Sequence, residues 1–276
     1  ASIGSGETPE ITMIANEANP LSAPLVEGLL QSTLLAMKME MMAVLMEPGQ
    51  PKTKNGLIRI RVEQALSGDR KKPSVAFFAA GIGVMFLLFS VSGRSAILIE
   101  ERETGVLARL LATRLTLTRL LIGRWLFLAL LGFVQVSIMF VWAAVVFGLD
   151  LWTPRHLVGF GVMTATTASA ASGLGLVLAV SCRSRAQLNG IASVLILVMS
   201  ALGGSMFPRF LMPENMQHIG RITFNAWALD GYQKVFWYES KPQELWLECA
   251  VLVFACGVFL ALAVKIARQS LRKKPG

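Results

Sequence analysis

The chain of 276 residues is poor in most of what a soluble enzyme or a small secreted domain depends on. Charged residues make up only 16% of it, against about 25% in an average soluble domain. Its three cysteines, Cys182, Cys249 and Cys256, offer no disulfide framework; Cys182 reads as an inert small residue rather than an acylation site. The two histidines, His156 and His218, belong to no His-Glu-x-x-His motif, and no Gly-x-Ser-x-Gly elbow occurs, which removes two common hydrolase designs. There is no Gly-x-x-x-x-Gly-Lys-Ser/Thr loop, so the chain cannot hydrolyse ATP by that device. No internal repeat or low-complexity tract is present. No charge occupies the middle of any long apolar run. A charge at the bilayer centre costs at least about 2.5–3.5 kcal/mol on insertion scales, so proton relays and ion-coupled carriers keep one there for a purpose. The absence of such a charge argues against a carrier of that kind.

What the chain has in quantity is hydrophobicity: 54% apolar residues and a mean hydropathy of +0.58. A spanning helix takes about 20 apolar residues, and five windows supply them at about 75–99, 120–149, 157–181, 188–207 and 245–264. Residues 75–93 are uncharged, 120–149 carry only Arg124, and 245–264 carry only Glu248. The expected fold is therefore mainly α, a polytopic membrane helical bundle over 75–276. The net charge of +9 is topological, because Lys and Arg crowd 100–124, the 182–185 link and the tail from Lys265. By the positive-inside rule those connections and the C-terminus face the cytoplasm, and 150–156 and 208–244 face outward. No nucleic-acid partner is implied.

With five spans and an inner C-terminus, residues 1–74 fall outside as an extracytoplasmic segment. The chain begins at Ala1 with neither an initiator Met nor a signal-type stretch, so a preceding transmembrane helix is expected, giving six in the full protein. A cleaved signal peptide is the lesser option. Within 1–74, a strand at 11–14, a Met-rich helix over 21–46 and a short strand at 57–62 make a small α/β piece, with 51–73 linker-like.

Several residues inside the bundle carry polar or packing signals. Gly81, Gly83, Gly159, Gly161, Gly173, Gly175, Gly203 and Gly204 allow close helix approach. Gln135, mid-span, and Thr167 and Asn189 in uncharged spans are candidates for a polar substrate pathway or for bonds between helices. The 208–244 connection, rich in Pro and aromatics, suggests short helices dipping back against the bilayer surface. There Phe207, Pro208, Asn225 and Trp227 are candidates for an external gate.

The densest signal is the stretch Glu100-Glu101-Arg102-Glu103-Thr104-Gly105-Val106-Leu107-Ala108-Arg109-Leu110-Leu111. After Gly105, Val106, Leu107, Leu110 and Leu111 form an apolar stripe, with Arg102 and Arg109 seven residues apart on a common helical face. Helices lying on a membrane surface usually have basic polar faces. Three glutamates beside anionic lipid are unfavourable, so a protein partner explains the cluster better.

This stretch, followed by Leu120-Leu121-Ile122-Gly123-Arg124, resembles the signature of ABC-2 type exporter permeases: Glu-x-Glu-x-Gly-Thr-Leu, a leucine-rich stretch, then Leu-Leu-Gly-Lys. Phe86-Leu87-Leu88-Phe89, Asn225-Ala226-Trp227 and the order of spans are similar too, and 1–74 resembles the end of an extracytoplasmic domain in one branch of that family. Val106 stands where Thr is common, Arg114 where Pro often ends the segment, and Arg124 where Lys is usual. The resemblance implies a permease subunit of the bacterial cell membrane, itself not an enzyme. It would bind no cofactor and pair with a second permease copy. ATP and Mg would sit in a separate ABC ATPase subunit docked on the coupling segment 98–118. The expected interface residues are Glu100, Glu101, Arg102, Glu103, Gly105, Val106, Leu107, Arg109, Leu110 and Leu111. An uncharged bundle interior favours hydrophobic or amphipathic cargo, exported as a drug, antibiotic or lipid. Two rivals remain: a permease-like sensor or assembly subunit, and an intramembrane protease, whose Glu-Glu-x-x-x-Arg motif fails here because Gly105 stands at the Arg position.

Overall fold

The computed structural model describes residues 10–14, 59–63, 73–113, 115–206, 212–238 and 240–272, and the chain divides into two units, Ala1–Arg70 and Lys71–Gly276. In the first unit, strands β1 (Glu10–Ile14) and β2 (Arg59–Glu63) pair in parallel, Glu10 opposite Arg59 and Ile14 opposite Glu63. The second strand begins two residues later than its hydrophobic pattern suggested. The helix expected over 21–46 lies outside the described residues.

Among the described residues of the second unit the regular elements are all helices. In chain order it comprises α1 (Pro73–Ser95), α2 (Ile97–Glu103), α3 (Val106–Leu111), α4 (Leu117–Phe147), α5 (Pro154–Ser181) and α6 (Arg185–Gly203). Then follow α7 (Glu214–Gly220), α8 (Phe224–Phe236), a 3-10 turn (Pro242–Leu245) and α9 (Trp246–Arg272). Among the described residues, five helical stretches are long and apolar enough to cross a bilayer: Val75–Glu103, Leu117–Phe147, Pro154–Ser181, Arg185–Gly203 and Pro242–Ser270. The chain is a mainly α, multi-pass membrane protein.

Helix ends follow local chemistry rather than hydropathy. Thr116 caps α4 by accepting from the Arg119 N–H at 3.3 Å, so this helix starts before its apolar run does. Gly204, with φ of 93°, ends α6 ahead of the apolar residues that follow. Lys265 and Arg268 end the apolar part of α9 without ending the helix, since both are good helix formers.

The bundle is organised around α5. Of its most apolar 18-residue stretch 72% is buried, against 17–56% for the other four candidate spans. Its run of Thr, Ala, Ser and Gly from Thr164 to Gly175 lets neighbours come close. A Cβ on Gly175 would lie 2.8 Å from Val91 of α1, and one on Gly173 would lie 3.0 Å from the Phe259 Cβ of α9. Gly81 of α1 faces the Ser205 carbonyl oxygen, 2.5 Å from where its Cβ would be. Gly83 and Gly161 face open space, so the glycine list mixes packing positions with indifferent ones.

The connection between α6 and α9 carries α7 and α8, and α8 is seated deep in the bundle. Eight of the 13 residues of α8 are buried, and it packs against α1, α5, α6 and α9. The Tyr232 hydroxyl hydrogen-bonds with Thr164 Oγ1 at 3.0 Å, about 15 Å along α5 from its first residue. That depth is about half a hydrocarbon core. An aromatic cluster, with Tyr232 and Phe236 of α8 stacked on Phe140 of α4, seats the helix there. Burying so many apolar residues outweighs the interfacial preference of the loop's aromatics.

Candidate functional site

At the charged end of the bundle, α1 passes almost without interruption into α2: Ala96 stays helical, and its carbonyl accepts from Ile99 and Glu100. Thr104 then stops α2, its N–H and its hydroxyl both donating to the Glu100 carbonyl at 2.8 Å. Gly105, at φ 74°, turns the chain into α3. An L-residue with a side chain pays about 1–2 kcal/mol for that backbone. Arg102 and Arg109 therefore lie on separate helices, and the single helical face expected to hold both does not exist. A helical projection assumes continuous helix, and Gly105 interrupts it.

The elbow sorts the candidate residues by exposure. Leu107 is buried, Leu110 and Leu111 are half-buried, and these seat α3. Val106, Ala108, Arg109 and Glu103 are exposed, while Arg102 and Gly105 are half-exposed. The outward face thus combines one acid, one base and small apolar surface. Arg114 lies outside the described residues.

Glu100 and Glu101 do different work. Glu101 pairs with Arg124 of α4, and its side chain is only 12% exposed. Glu100 pairs with Arg185, the first residue of α6, and is 40% exposed. Two adjacent carboxylates therefore tie the elbow to two different long helices. Sequence reasoning used Arg124 as part of a motif and Arg185 as a topology marker, and assigned neither to the site. The signal available was charge balance: two acids and two bases at membrane-interface positions, where an unpaired charge is costly. Between these pairs lies a cleft of about 340 Å³, bordered by Arg94, Ile97, Glu100, Arg124, Phe127 and Arg185. Cys182, at the end of α5, is buried, and burial pushes its thiol above the ordinary range, in keeping with an inert residue.

The other polar candidates are scattered. Gln135 is half-buried on α4, and Asn189 is exposed on α6. Thr167 is buried on α5 and faces the Tyr232 phenol without a hydrogen bond of good geometry. The three stand on three different helices, α4, α6 and α5. Of the gate candidates, Phe207 and Pro208 lie outside the described residues. Asn225 is fully buried, its Nδ2 donating to Ser200 Oγ of α6 at 3.4 Å. Trp227 donates from Nε1 to the Arg221 carbonyl at 2.8 Å. Missed altogether was the pair between Lys234 of α8 and Glu248 of α9, 2.8 Å apart with Glu248 only 5% exposed. It explains how the last span tolerates its one carboxylate.

Comparison with known proteins agrees with this architecture. Residues 1–265 match the model of a family described as ABC-2 family transporter protein. The chain is also 22% identical over 190 residues to the linearmycin resistance permease protein LnrN of Bacillus subtilis (strain 168), an alignment covering 69% of this chain and 49% of the relative. The chain thus spans about half the length of the curated relative it matches.

Proposed function

Because the chain belongs to the ABC-2 transporter family, we propose that this permease subunit exports its cargo on energy supplied by a separate ABC ATPase seated on the α2–α3 elbow. The observation that carries this reading is the division of labour between adjacent glutamates. A force applied to the exposed face of α3 reaches α4 through Glu101–Arg124 and α6 through Glu100–Arg185. Charge-assisted contacts between rigid helices suit that role, because the elbow cannot shift without shifting both long helices or breaking a pair. The docking face would be Glu103, Val106, Ala108 and Arg109, with the elbow on the cytoplasmic side. ATP binding in the partner would then favour one arrangement of the spans over another.

A second copy of the chain completes the pathway in this reading. The exposed face of α6 carries Asn189 among Ile191, Val194, Leu197 and Val198. An amide turned to hydrocarbon is unfavourable, which supports protein or a polar pathway opposite it. Beyond Arg119 in its first turn, the exposed face of α4, with Leu126, Leu130, Ile138 and Val145, carries no charged side chain and suits lipid. A relative named as a resistance permease supports export as the direction, and the uncharged spans support a hydrophobic or amphipathic cargo.

The test is co-purification of the permease with its ATPase, then ATPase stimulation in liposomes. Arg109→Glu together with Val106→Asp should abolish stimulation while the chain still inserts and purifies. Full stimulation in that variant rejects the elbow as docking site.

A further inference from the structure

A groove of about 610 Å³ runs between the first turns of α4 and the last turns of α9, away from the elbow's ion pairs. Leu121, Ile122 and Val264 contribute apolar wall, and Thr118, Lys265 and Arg268 stand at its polar end. We propose that this groove binds one anionic phospholipid, its phosphate between Lys265 and Arg268 and an acyl chain along the apolar wall.

Four observations converge. Lys265 and Arg268 are three residues apart on α9 and so share a face. The Arg268 Nη2 donates to Thr118 Oγ1 at 3.1 Å, which holds the guanidinium over the groove and leaves its other N–H donors for a phosphate. The charges are also unspent. Arg124 and Arg185 at the same end each have a glutamate, whereas among the described residues no carboxylate pairs with Lys265 or Arg268. Position adds the chain-length component. Both cations follow directly on the apolar part of α9, at headgroup level for a spanning helix, while the wall continues into hydrocarbon depth. A soluble anion would satisfy the cations and leave the wall uncovered, and a neutral lipid would cover the wall and leave the cations unneutralised. The volume falls within the range of ordinary ligand sites.

This inference depends on the chain spanning a membrane and not on any ATPase, so its test involves no transport. The purified full chain in mild detergent is mixed with equimolar phosphatidylglycerol and phosphatidylcholine, and retained lipid is counted by native mass spectrometry. One phosphatidylglycerol per chain is expected, retained about tenfold over phosphatidylcholine. Millimolar inorganic phosphate should not displace it. Lys265→Gln with Arg268→Gln should remove the preference, and Arg183→Gln, an exposed cation of the α5–α6 link, should keep it. Ile122→Trp, which keeps both cations and fills the groove, should lose the bound lipid. Equal retention of the two lipids by the wild type overturns the proposal, whatever the variants' folding. Undiminished retention in Ile122→Trp or in the double variant, or full displacement by phosphate, overturns it as well.

Discussion

At the scale of single residues, the informative contrast is between Gly81 and Gly83, which the sequence presents as equivalents within one apolar run. A methyl group at Gly81 would meet the backbone carbonyl of Ser205, while one at Gly83 meets nothing within 4 Å. Gly81→Ala should cost about 1–3 kcal/mol, as overpacking does, and lower the thermal midpoint of the purified chain. Gly83→Ala should leave the midpoint unchanged or raise it slightly, since alanine is the better helix former. Cys182 offers a second check. Its buried thiol, pushed upward in pKa, should react with maleimide at neutral pH more slowly than a cysteine placed at exposed Ser181 in a Cys182→Ala background. The native rate should climb as pH rises through the raised value and the thiolate forms. Neither contrast is readable from hydrophobic pattern, because a helix apolar on all sides does not reveal which side has a neighbour.

At the scale of elements, the elbow combines a legible and an illegible part. That the charged stretch interrupts two spans, and that Gly105 starts a new apolar segment, follows from composition. The partners of Glu100 and Glu101 do not, since Arg124 and Arg185 stand on other helices, and only the folding of α4 and α6 beside α2 brings them in reach. The two pairs should differ in energetic weight. Glu101→Gln leaves Arg124 without its partner at a site only 27% exposed and should destabilise by about 1–3 kcal/mol in a thermal melt. Glu100→Gln should cost less than about 1 kcal/mol, because its pair with Arg185 is solvent-screened. If both pairs carry force, exchanging Glu100 with Arg185 (Glu100→Arg plus Arg185→Glu) should recover ATPase stimulation that either single reversal loses.

At the scale of the whole molecule, the exposed surfaces of α4 and α6 differ in kind although both belong to apolar spans. Of the two, α6 alone carries an exposed amide, Asn189, and the proposed pairing of two copies uses that face. Val194→Cys, in a chain with its native cysteines replaced by alanine, should form a disulfide-linked dimer in membranes under mild oxidation. Ile138→Cys on α4 should stay monomeric on the same non-reducing gel. Crosslinking at Ile138 instead of Val194 would move the interface to α4.

The amino-acid sequence by itself determined that this protein spans a membrane, how many long apolar helices the described residues supply, and that a charged elbow lies between the first two. These are consequences of length, composition and local backbone preference, each of which acts within one stretch of chain. Tertiary structure alone decided that α5 is central, that α8 is buried among four helices, and that every strongly buried charge of the described bundle has a partner on another helix. Those outcomes depend on which faces meet, and in helices apolar all round that choice is made by small residues and paired charges distant in the chain.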